Sequence, residues 1–337
     1  MANNIFEPLI NSVCECVPVA LKGVVKVFDI WGNFIYRIIE GVPYGSIEVK
    51  EDDIIQTDNI SKYEYIPVEQ AIVINKTDNV VNYTFVEGEK DGLKAFIGYT
   101  LEGNLKEIDM LEGHIIAGGA SRWGKSNFLN LFITNIMKTY TPKEVLFGGC
   151  DFKMSDIYYF RRYNHFKNIG VSTNVGGFLE QIEILEKEVE KRAKILDEAN
   201  CRNAIKYNKK YKEKMTYIIF VIDELVQLMY DKKCRDLLHN FMSKSASYGI
   251  YFILASQDFT KDTIGKCKMN TSQTIGFHTH DETDSITIMG KGCDLQDINI
   301  VGRCKIKNSK GIEEVQVMYI SEEEIEATLK PCEKQKV

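Results

Sequence analysis

The chain has 337 residues, which is room for one large domain or two smaller ones. Hydrophobic residues make up 44% and charged residues 27%, an ordinary globular composition that predicts a buried core. The formal net charge of −6 excludes a generally basic surface, so any contact with nucleic acid needs a local basic patch.

The first 44 residues form the first predicted unit. Apolar residues are frequent from Leu9 to Ile39, but charged residues interrupt them, so no run reaches the roughly 18–20 apolar residues that a spanning helix needs. The pattern predicts an amphipathic helical segment over residues 1–44. Two interpretations remain open: the helix packs on the protein or on a neighbouring subunit, or it lies in the membrane interface with Phe28, Trp31 and Phe34 in the lipid boundary.

Two features of the sequence predict its location. The N-terminus lacks the basic stretch and clean apolar run of a signal peptide. The nine cysteines form no CxxC pairs, and Cys14 and Cys16 have the wrong spacing for a zinc knuckle. We therefore expect reduced, mostly buried thiols in a cytoplasmic protein without a cysteine metal site. Peripheral association with a membrane through the N-terminal segment is the alternative.

Residues 45–110 predict a small β-rich region. Its short segments SIEVKED, AIVIN and NYTFVEG are rich in strand-forming residues and are separated by Asp, Asn and Gly. From residue 111 to 325 the pattern changes to strand-like segments that alternate with helix-like ones. Residues 326–337 predict a polar tail.

The alternation over residues 111–325 predicts the fold class. Strands are predicted at HIIAGG, EVLFGGCD, TYIIFVIDEL and GIYFILASQ, and helices at SNFLNLFITNIM, VGGFLEQIEILEKEVEKRAKILDEAN and CRDLLHNFMSKSAS. Strands that alternate with helices indicate an α/β domain with a mostly parallel sheet covered on both faces. The basic stretch KYNKKYKEK at residues 206–214 predicts a solvated loop or helix end.

The stretch from Gly119 to Ser126, GASRWGKS, fits the phosphate-loop pattern GxxxxGK[ST] in full. It follows an apolar strand and opens a helix, so backbone N–H groups and the helix N-terminus can surround phosphates; the alternative is a glycine-bearing turn. Lys125 is expected to reach the β- and γ-phosphates of ATP, and the Ser126 hydroxyl to bind Mg²⁺. The predicted nucleotide-binding residues are Gly119, Ala120, Ser121, Arg122, Trp123, Gly124, Lys125, Ser126 and Asn127.

A pair of acids, Asp223 and Glu224, follows the apolar run of residues 218–222. Two carboxylates at the end of a buried strand are costly unless they face a metal or water. Asp223 is expected in the Mg²⁺ shell, and Glu224 is expected to polarise the attacking water. Gln257 ends the next strand, where its amide either senses the γ-phosphate or faces solvent. Lys125, Asp223, Glu224 and Gln257 are the predicted catalytic residues.

Six segments between Leu93 and Ile300 resemble, in order, the segments of the FtsK/SpoIIIE-type DNA translocases, which are RecA-like P-loop motors of the HerA class. They are the lead-in to the phosphate loop, CDFKMSDIYYF, EILEKEVEKRAKIL, VIDEL, YGIYFILASQ and KMNTSQTIGFHTHDETDSITIM. Outside the phosphate loop and the acid pair, the matching positions are Gly98, Asp109, Asp151, Lys153, Glu190, Arg192, Asn270, Asp284 and Ser285. The phosphate loop alone is not specific to this family, but the ordered set is.

The chain departs from the family pattern at several positions. Bulky Arg122 and Trp123 stand where the family has small residues. Asp258 and Phe259 replace Arg-Pro after Gln257, Phe152 replaces a proline, and Thr274 stands where the family carries an arginine. An arginine given across a subunit boundary is worth orders of magnitude in rate, and its source here is open. The candidates are Arg122, Arg161 and Arg162.

The resemblance implies a RecA-like core that binds ATP and Mg²⁺, a homo-hexameric ring, and sequence-independent contact with DNA. We expect neither the family's winged-helix module nor its multi-span membrane anchor, as in short relatives on conjugative plasmids, integrative elements and phages. This favours a DNA translocase or coupling ATPase of conjugative transfer or mobile-element propagation, with relaxase or transfer-channel partners. Lys261, Lys266 and Lys268 lie in one candidate pore loop, or in a solvated turn.

Two alternatives to this function remain open. One is a nucleotide-dependent adaptor with slow or no turnover, which the arginine departures favour and the intact catalytic residues disfavour. The other is an FtsK-like ATPase of a protein secretion system, which has the same core but a different cargo. DNA-stimulated turnover separates the DNA motor from both.

Overall fold

A computed structural model describes residues 23–28, 35–38, 74–75, 81–86, 90–260, 264 and 267–332. Among the described residues before residue 81 there are three short strands: β1 (Gly23–Phe28), β2 (Ile35–Ile38) and β3 (Ile74–Asn75). They pair antiparallel in the order β2-β1-β3. In β1 and β2 the structure differs from the predicted amphipathic helix, because β-branched and aromatic residues, which favour strands, predominate there. The rest of residues 1–44, with Trp31 and Phe34, lies outside the described residues.

The main sheet contains the remaining strands of the described chain. They are β4 (Val81–Asn82), β5 (Lys94–Thr100), β6 (Leu105–Asp109), β7 (His114–Gly118), β8 (Val145–Asp151), β9 (Gly170–Ser172), β10 (Tyr217–Asp223), β11 (Ile250–Ser256), β12 (Thr271–Phe277), β13 (Arg303–Asn308) and β14 (Gly311–Tyr319). The order across the sheet is β6-β5-β14-β13-β12-β7-β11-β10-β8-β9, and β4 pairs with β14.

Along the chain, the helices with bounds inside the described residues mainly alternate with the strands. They are α1 (Lys125–Thr139), α2 (Val175–Glu198), α3 (Ala204–Lys210), α4 (Val226–Met229), α5 (Lys232–Ser245), α6 (Glu282–Ile288) and α7 (Glu322–Leu329). The four strands and three helices predicted between residues 114 and 257 are all confirmed, with boundaries within two residues.

Strands β12, β7, β11, β10, β8 and β9 pair parallel, and we call them the parallel half. Side chains along β10 alternate between two cores, because successive residues of a strand point to opposite faces. Ile219 and Val221 pack in the core that α1 covers, whereas Ile218, Phe220 and Ile222 pack in the core that α2 and α5 cover. Burial on both faces explains the continuous apolar run that precedes the acid pair.

Strands β5, β6, β13 and β14 pair antiparallel, and we call them the antiparallel wing. The strands β4, β5 and β6, predicted as part of a separate region at 45–110, join the same sheet as the parallel half through β14. Pairing between β5 and β14 joins segments about 200 residues apart, which local sequence patterns do not disclose.

Helix α7 occupies the start of the predicted polar tail. A capping box of Ser321 and Glu324 begins this helix. Ile325 and Leu329 are buried in the core on the α1 side, so apolar packing extends the fold beyond residue 326. Residues 333–337 lie outside the described part of the chain.

Three further observations bear on the predictions of location and metal content. None of the helices in the described stretches is long and apolar enough to cross a lipid bilayer. The seven cysteines within these stretches are free thiols, and five of them are buried. The same residues contain no cluster of three His, Cys, Asp or Glu side chains that could hold a metal ion.

Candidate nucleotide-binding site

The predicted phosphate loop connects β7 to α1 through a backbone path that only glycine permits at two positions. Gly119 and Gly124 have φ angles of +150° and +110°. A Cβ on Gly119 would lie 2.6 Å from the Cβ of Phe277, and one on Gly124 would lie 2.8 Å from the Cα of Gly302. The two pattern glycines are therefore fixed both by conformation and by the close approach of neighbouring strand ends.

Contacts from the ends of β12 and β13 hold the loop in place. The Ala120 N–H donates to His278 O at 2.8 Å, and the Gly302 N–H donates to Trp123 O at 3.1 Å. The Trp123 ring stacks on the His278 imidazole with 3.9 Å between ring centroids. The bulky tryptophan that departs from the family pattern is thus packed against the chain.

A buried ion pair joins the phosphate loop to the acid pair. Lys125 Nζ lies 2.9 Å from Asp223 Oδ1, and the two side chains are only 4% and 2% exposed. Glu224 Oε1 lies 3.9 Å from the same ammonium. Buried charges are tolerated when they are paired. Asp223 at the end of β10 and Lys125 at the start of α1 therefore neutralise each other. The predicted phosphate-binding lysine and the predicted magnesium ligand are therefore neighbours.

Glu224 occupies an unusual backbone conformation directly after β10. Its φ angle is +58°, in the left-handed region that non-glycine residues rarely adopt. The side chain is 7% exposed, and Oε1 accepts a hydrogen bond from Lys153 Nζ at 2.8 Å. Strained residues of this kind persist where surrounding contacts determine their conformation, and they concentrate at functional sites.

Gln257 contacts the phosphate loop. It follows β11 directly, and its Oε1 accepts a hydrogen bond from the Ser121 hydroxyl. Of the two orientations that the sequence allowed, the structure shows the amide turned toward the loop rather than away from it. The four predicted catalytic residues, Lys125, Asp223, Glu224 and Gln257, are thus gathered at the carboxyl ends of β10 and β11 beside the loop after β7.

A tight turn after β8 adds carboxylates whose part in the site the sequence did not reveal. Asp151 is fully buried and lies in register with Asp223 on the neighbouring strand. Its carboxylate accepts the backbone N–H groups of Lys153, Asp156 and Tyr158 at 2.9–3.1 Å. Three such bonds shape the turn and direct the residues after Asp151 toward the acid pair.

Asp156 is the residue that sequence reasoning missed. Its carboxylate lies close to the Ser126 hydroxyl, with the charges of Asp223, Lys125 and Asp151 nearby. Burial raises the pKa of Asp156, and the neighbouring Ser126 hydroxyl acts in the opposite direction. The available signal was its place five residues after Asp151 in a segment already matched to the family.

The predicted magnesium ligands fit a site of the kind that Mg²⁺ prefers. The ion usually binds one or two protein oxygens and keeps several waters or phosphate oxygens. Ser126 and Asp223 supply a hydroxyl and a carboxylate, and the Asp156 carboxylate lies close to the Ser126 hydroxyl. Ser126 and Asp223 would hold the ion.

Asn127 joins the start of α1 to the end of β14. Its Nδ2 donates to Met318 O at 2.8 Å, and its Oδ1 accepts from the Ile320 N–H at 3.0 Å. Both ends of the amide are therefore used within the fold. The residue predicted to bind nucleotide supports the loop from the side of the antiparallel wing.

The three arginine candidates have different surroundings. Arg162 pairs with Glu326 at 3.0 Å, and Arg161 donates to Tyr158 O at 2.8 Å and stacks on the Tyr158 ring. Arg122 is exposed at the tip of the phosphate loop with a φ angle of +69°. All three side chains are exposed, and Arg122 is the one that lies on the phosphate loop itself.

The candidate pore loop is described only in part. Lys261 and Lys266 lie outside the described residues. Lys268 is half-buried, and its Nζ donates to Thr287 O at 2.8 Å. Burial lowers the pKa of this lysine. Lys268 therefore braces α6, which does not fit the freely exposed pore contact that was one reading of the sequence.

The sequence model of the FtsK/SpoIIIE family matches residues 92–261, just over half of the chain. The chain belongs to the FtsK/SpoIIIE family. The predicted family, the α/β fold class and the assignment to P-loop ATPases are thereby confirmed. The matched range contains the phosphate loop, the turn after β8, the acid pair and Gln257.

Relatives of this FtsK/SpoIIIE family member are much longer than it is. The DNA translocase FtsK of Leptospira interrogans serogroup Icterohaemorrhagiae serovar copenhageni (strain Fiocruz L1-130) is 29% identical over 266 residues, which cover 73% of this chain and 27% of the relative. That of Lactococcus lactis subsp. lactis (strain IL1403) is 30% identical over 211 residues, which cover 58% and 28%. The chain spans little more than a quarter of the length of these curated relatives.

Two solved structures share the fold. The pCW3 conjugation coupling protein TcpA, in a monomer form with ATPgS, is 22% identical with a TM-score of 0.63, and the match covers 80% of each chain. EssC (ATPases 2 and 3) from Geobacillus thermodenitrificans is 18% identical with a TM-score of 0.66, and the match covers 75% of this chain and 51% of that one. At these identities the likeness shows the architecture of the FtsK/SpoIIIE family core.

Proposed function

We propose that the chain is an ATP-driven motor that moves DNA without reading its sequence, in conjugative transfer or mobile-element propagation. The observation that carries this proposal is the cluster of Lys125, Asp223, Glu224 and Gln257 beside the phosphate loop. Relatives named DNA translocase FtsK support DNA as the cargo. The likeness to the coupling protein TcpA over 80% of both chains favours the coupling role.

The site residues have separate tasks in this proposal. Backbone N–H groups of the loop and Lys125 bind the phosphates of ATP. Ser126 and Asp223 hold Mg²⁺, which when bound neutralises charge on the phosphate oxygens. Glu224 accepts the proton of the attacking water, and Gln257 relays the state of the phosphate to the loop through Ser121. The position of these side chains beside the phosphate loop supports this division of tasks.

The motor is proposed to work as a homo-hexameric ring with sequence-independent contacts to the DNA backbone. Arg122 is our candidate for the arginine that stabilises charge at the nucleotide site, because it is exposed at the loop tip. Relaxase or transfer-channel proteins are the proposed partners. The proposed location is the cytoplasm, and peripheral membrane contact through residues 9–39 is the alternative.

The likeness to EssC supports a second candidate, an FtsK-like ATPase that moves protein. A third is a nucleotide-dependent adaptor with slow turnover. The intact acid pair and the contact of Gln257 with Ser121 favour turnover over the adaptor. Stimulation by DNA favours the DNA motor over the other two.

The first test is ATP hydrolysis by the full chain with and without double- and single-stranded DNA. We expect DNA to stimulate turnover, and Glu224→Gln to lower it by about 10²–10⁴-fold because the general base is lost. Lys125→Ala should also abolish nucleotide binding, measured by calorimetry. Glu183→Gln, an exposed change on α2, serves as the matched control.

The outcomes separate the three candidates. Turnover that DNA does not stimulate would remove the DNA motor and favour a protein cargo. Nucleotide binding without turnover would favour the adaptor. Unchanged turnover in Glu224→Gln would show that the acid pair does not work as proposed.

A further inference from the structure

Glu224 is held by a cation from outside the phosphate loop. Lys125 lies 3.9 Å from Glu224 Oε1, but it is bound to Asp223 at 2.9 Å. Lys153 Nζ lies 2.8 Å from the same Oε1. Within the described chain, Lys153 is thus the lysine whose ammonium hydrogen-bonds this carboxylate.

The position of Lys153 is built into the backbone. Asp151 lies in register with Asp223 at the ends of adjacent parallel strands. The Asp151 carboxylate accepts the Lys153 N–H at 3.1 Å, and Met154, the next residue, donates its N–H to Asp151 O at 3.3 Å. Strand pairing therefore fixes where the Lys153 side chain starts, one strand away from Glu224.

The ion pair is one of the contacts that hold Glu224 in its strained conformation. A non-glycine residue at φ +58° persists only when its surroundings determine its conformation. The Lys153 ammonium binds one carboxylate oxygen and orients the side chain, while a carboxylate keeps a second oxygen that can accept a proton from water. The lysine side chain itself is 49% exposed, so it acts from the rim of the site.

We propose that Lys153 is a positioning residue that holds the Glu224 carboxylate in its strained orientation for attack by water. The inference rests on the proposed ATPase function of the site. It adds to that function a residue from outside the phosphate loop and the acid pair, and it gives the turn after β8 a specific task in the hydrolytic step.

The test compares Lys153→Met and Lys153→Arg in the full chain. Lys153→Met keeps the length of the side chain and removes the charge. We expect kcat to fall by roughly 10- to 100-fold, as for a misplaced catalytic group, while the KM for ATP stays within about twofold. Lys153→Arg should recover most of kcat because it keeps the cation. Lys187→Met, on the exposed face of α2, should leave both constants unchanged.

A second measurement needs no turnover, so failure of the proposed ATPase does not remove the test. The midpoint temperature (Tm) of thermal unfolding of nucleotide-free Lys153→Met should be about 2–4 °C lower than that of the unmodified chain. In a Glu224→Gln background the same change should have little effect, because no buried carboxylate is left unpaired.

Three results would overturn the proposal. One is a kcat for Lys153→Met equal to or above that of the unmodified chain, which would make the lysine inert or a brake. Another is a rise in KM without a fall in kcat, which would place Lys153 in nucleotide binding. The third is equal thermal shifts in both backgrounds.

Discussion

The two halves of the sheet differ in burial and in what they carry. Strands β7 and β11 of the parallel half are buried along their full lengths, and the site lies where the parallel strands end. Strand β6 of the antiparallel wing has one buried residue, and β14 is exposed at both ends. Parallel strands bring functional side chains to one edge, whereas antiparallel strands distribute theirs over both edges. The wing therefore supports the chemistry without containing it.

The largest effect on stability should come from truncating a buried side chain in the core of the antiparallel wing. Ile97 of β5 is fully buried, and Ile97→Ala should lower the free energy of unfolding by about 2–5 kcal/mol, because the change removes buried contacts and leaves a cavity. Urea unfolding measures the loss. The kcat and KM of the folded protein should not change, since the site lies in the other half.

Ile312→Ala is the matched control, because Ile312 on β14 is 48% exposed and should contribute little. A changed KM for ATP in Ile97→Ala would contradict the view that the antiparallel wing only supports the parallel half.

A smaller effect should come from the link between the halves. Asn127→Ala removes the bonds to Met318 O and the Ile320 N–H, which should cost about 1–3 kcal/mol because two partners lose their bonds. Here we expect both a lower unfolding free energy and a higher KM for ATP, since α1 begins at the phosphate loop. Asn127→Asp keeps the acceptor for Ile320 and should lose less.

The exposed change Asn168→Ala is the control for this pair. If Asn127→Ala lowered the free energy of unfolding but left the KM for ATP unchanged, the amide would stabilise the fold without influencing the phosphate loop.

The smallest effect concerns the start of β7. The buried His114 ring accepts the Phe252 N–H at Nδ1, so Nε2 carries the proton and donates to Met242 O. Burial lowers the pKa of His114 below its ordinary value of 6.5. Near and below pH 6.5 the His114 imidazole therefore binds a proton more readily in the unfolded chain than in the folded one. The free energy of unfolding falls as the pH drops below 6.5, by at most about 1.4 kcal/mol per pH unit.

Urea unfolding between pH 7 and 5.5 measures this slope. His114→Gln should flatten it, whereas His239→Gln on α5 should not. A slope that His114→Gln leaves intact would assign the effect to other groups, of which His165, also buried with a lowered pKa, is the first.

The sequence predicted the parallel half well because its signals are local. The phosphate-loop pattern, the apolar run before Asp223 and the helical periodicity of α2 each depend on neighbours in the chain. The sequence did not predict that Asp156 would lie close to Ser126 or that Lys153 would pair with Glu224. Those contacts depend on the register of β8 with β10 and on the turn that Asp151 organises. The pairing of β5 with β14 was missed for the same reason, since it is non-local.

The stack of Trp123 on His278 gives the protein an intrinsic optical probe at its nucleotide site. The chain has two tryptophans, so Trp31→Phe leaves Trp123 as the sole indole emitter. Indole emission depends on the group stacked against the ring, and here that group is His278, directly after β12, whereas the indole belongs to the loop. Any motion of the loop relative to the sheet during the ATP cycle therefore alters the emitted light. Stopped-flow fluorescence can then time that cycle without an added dye.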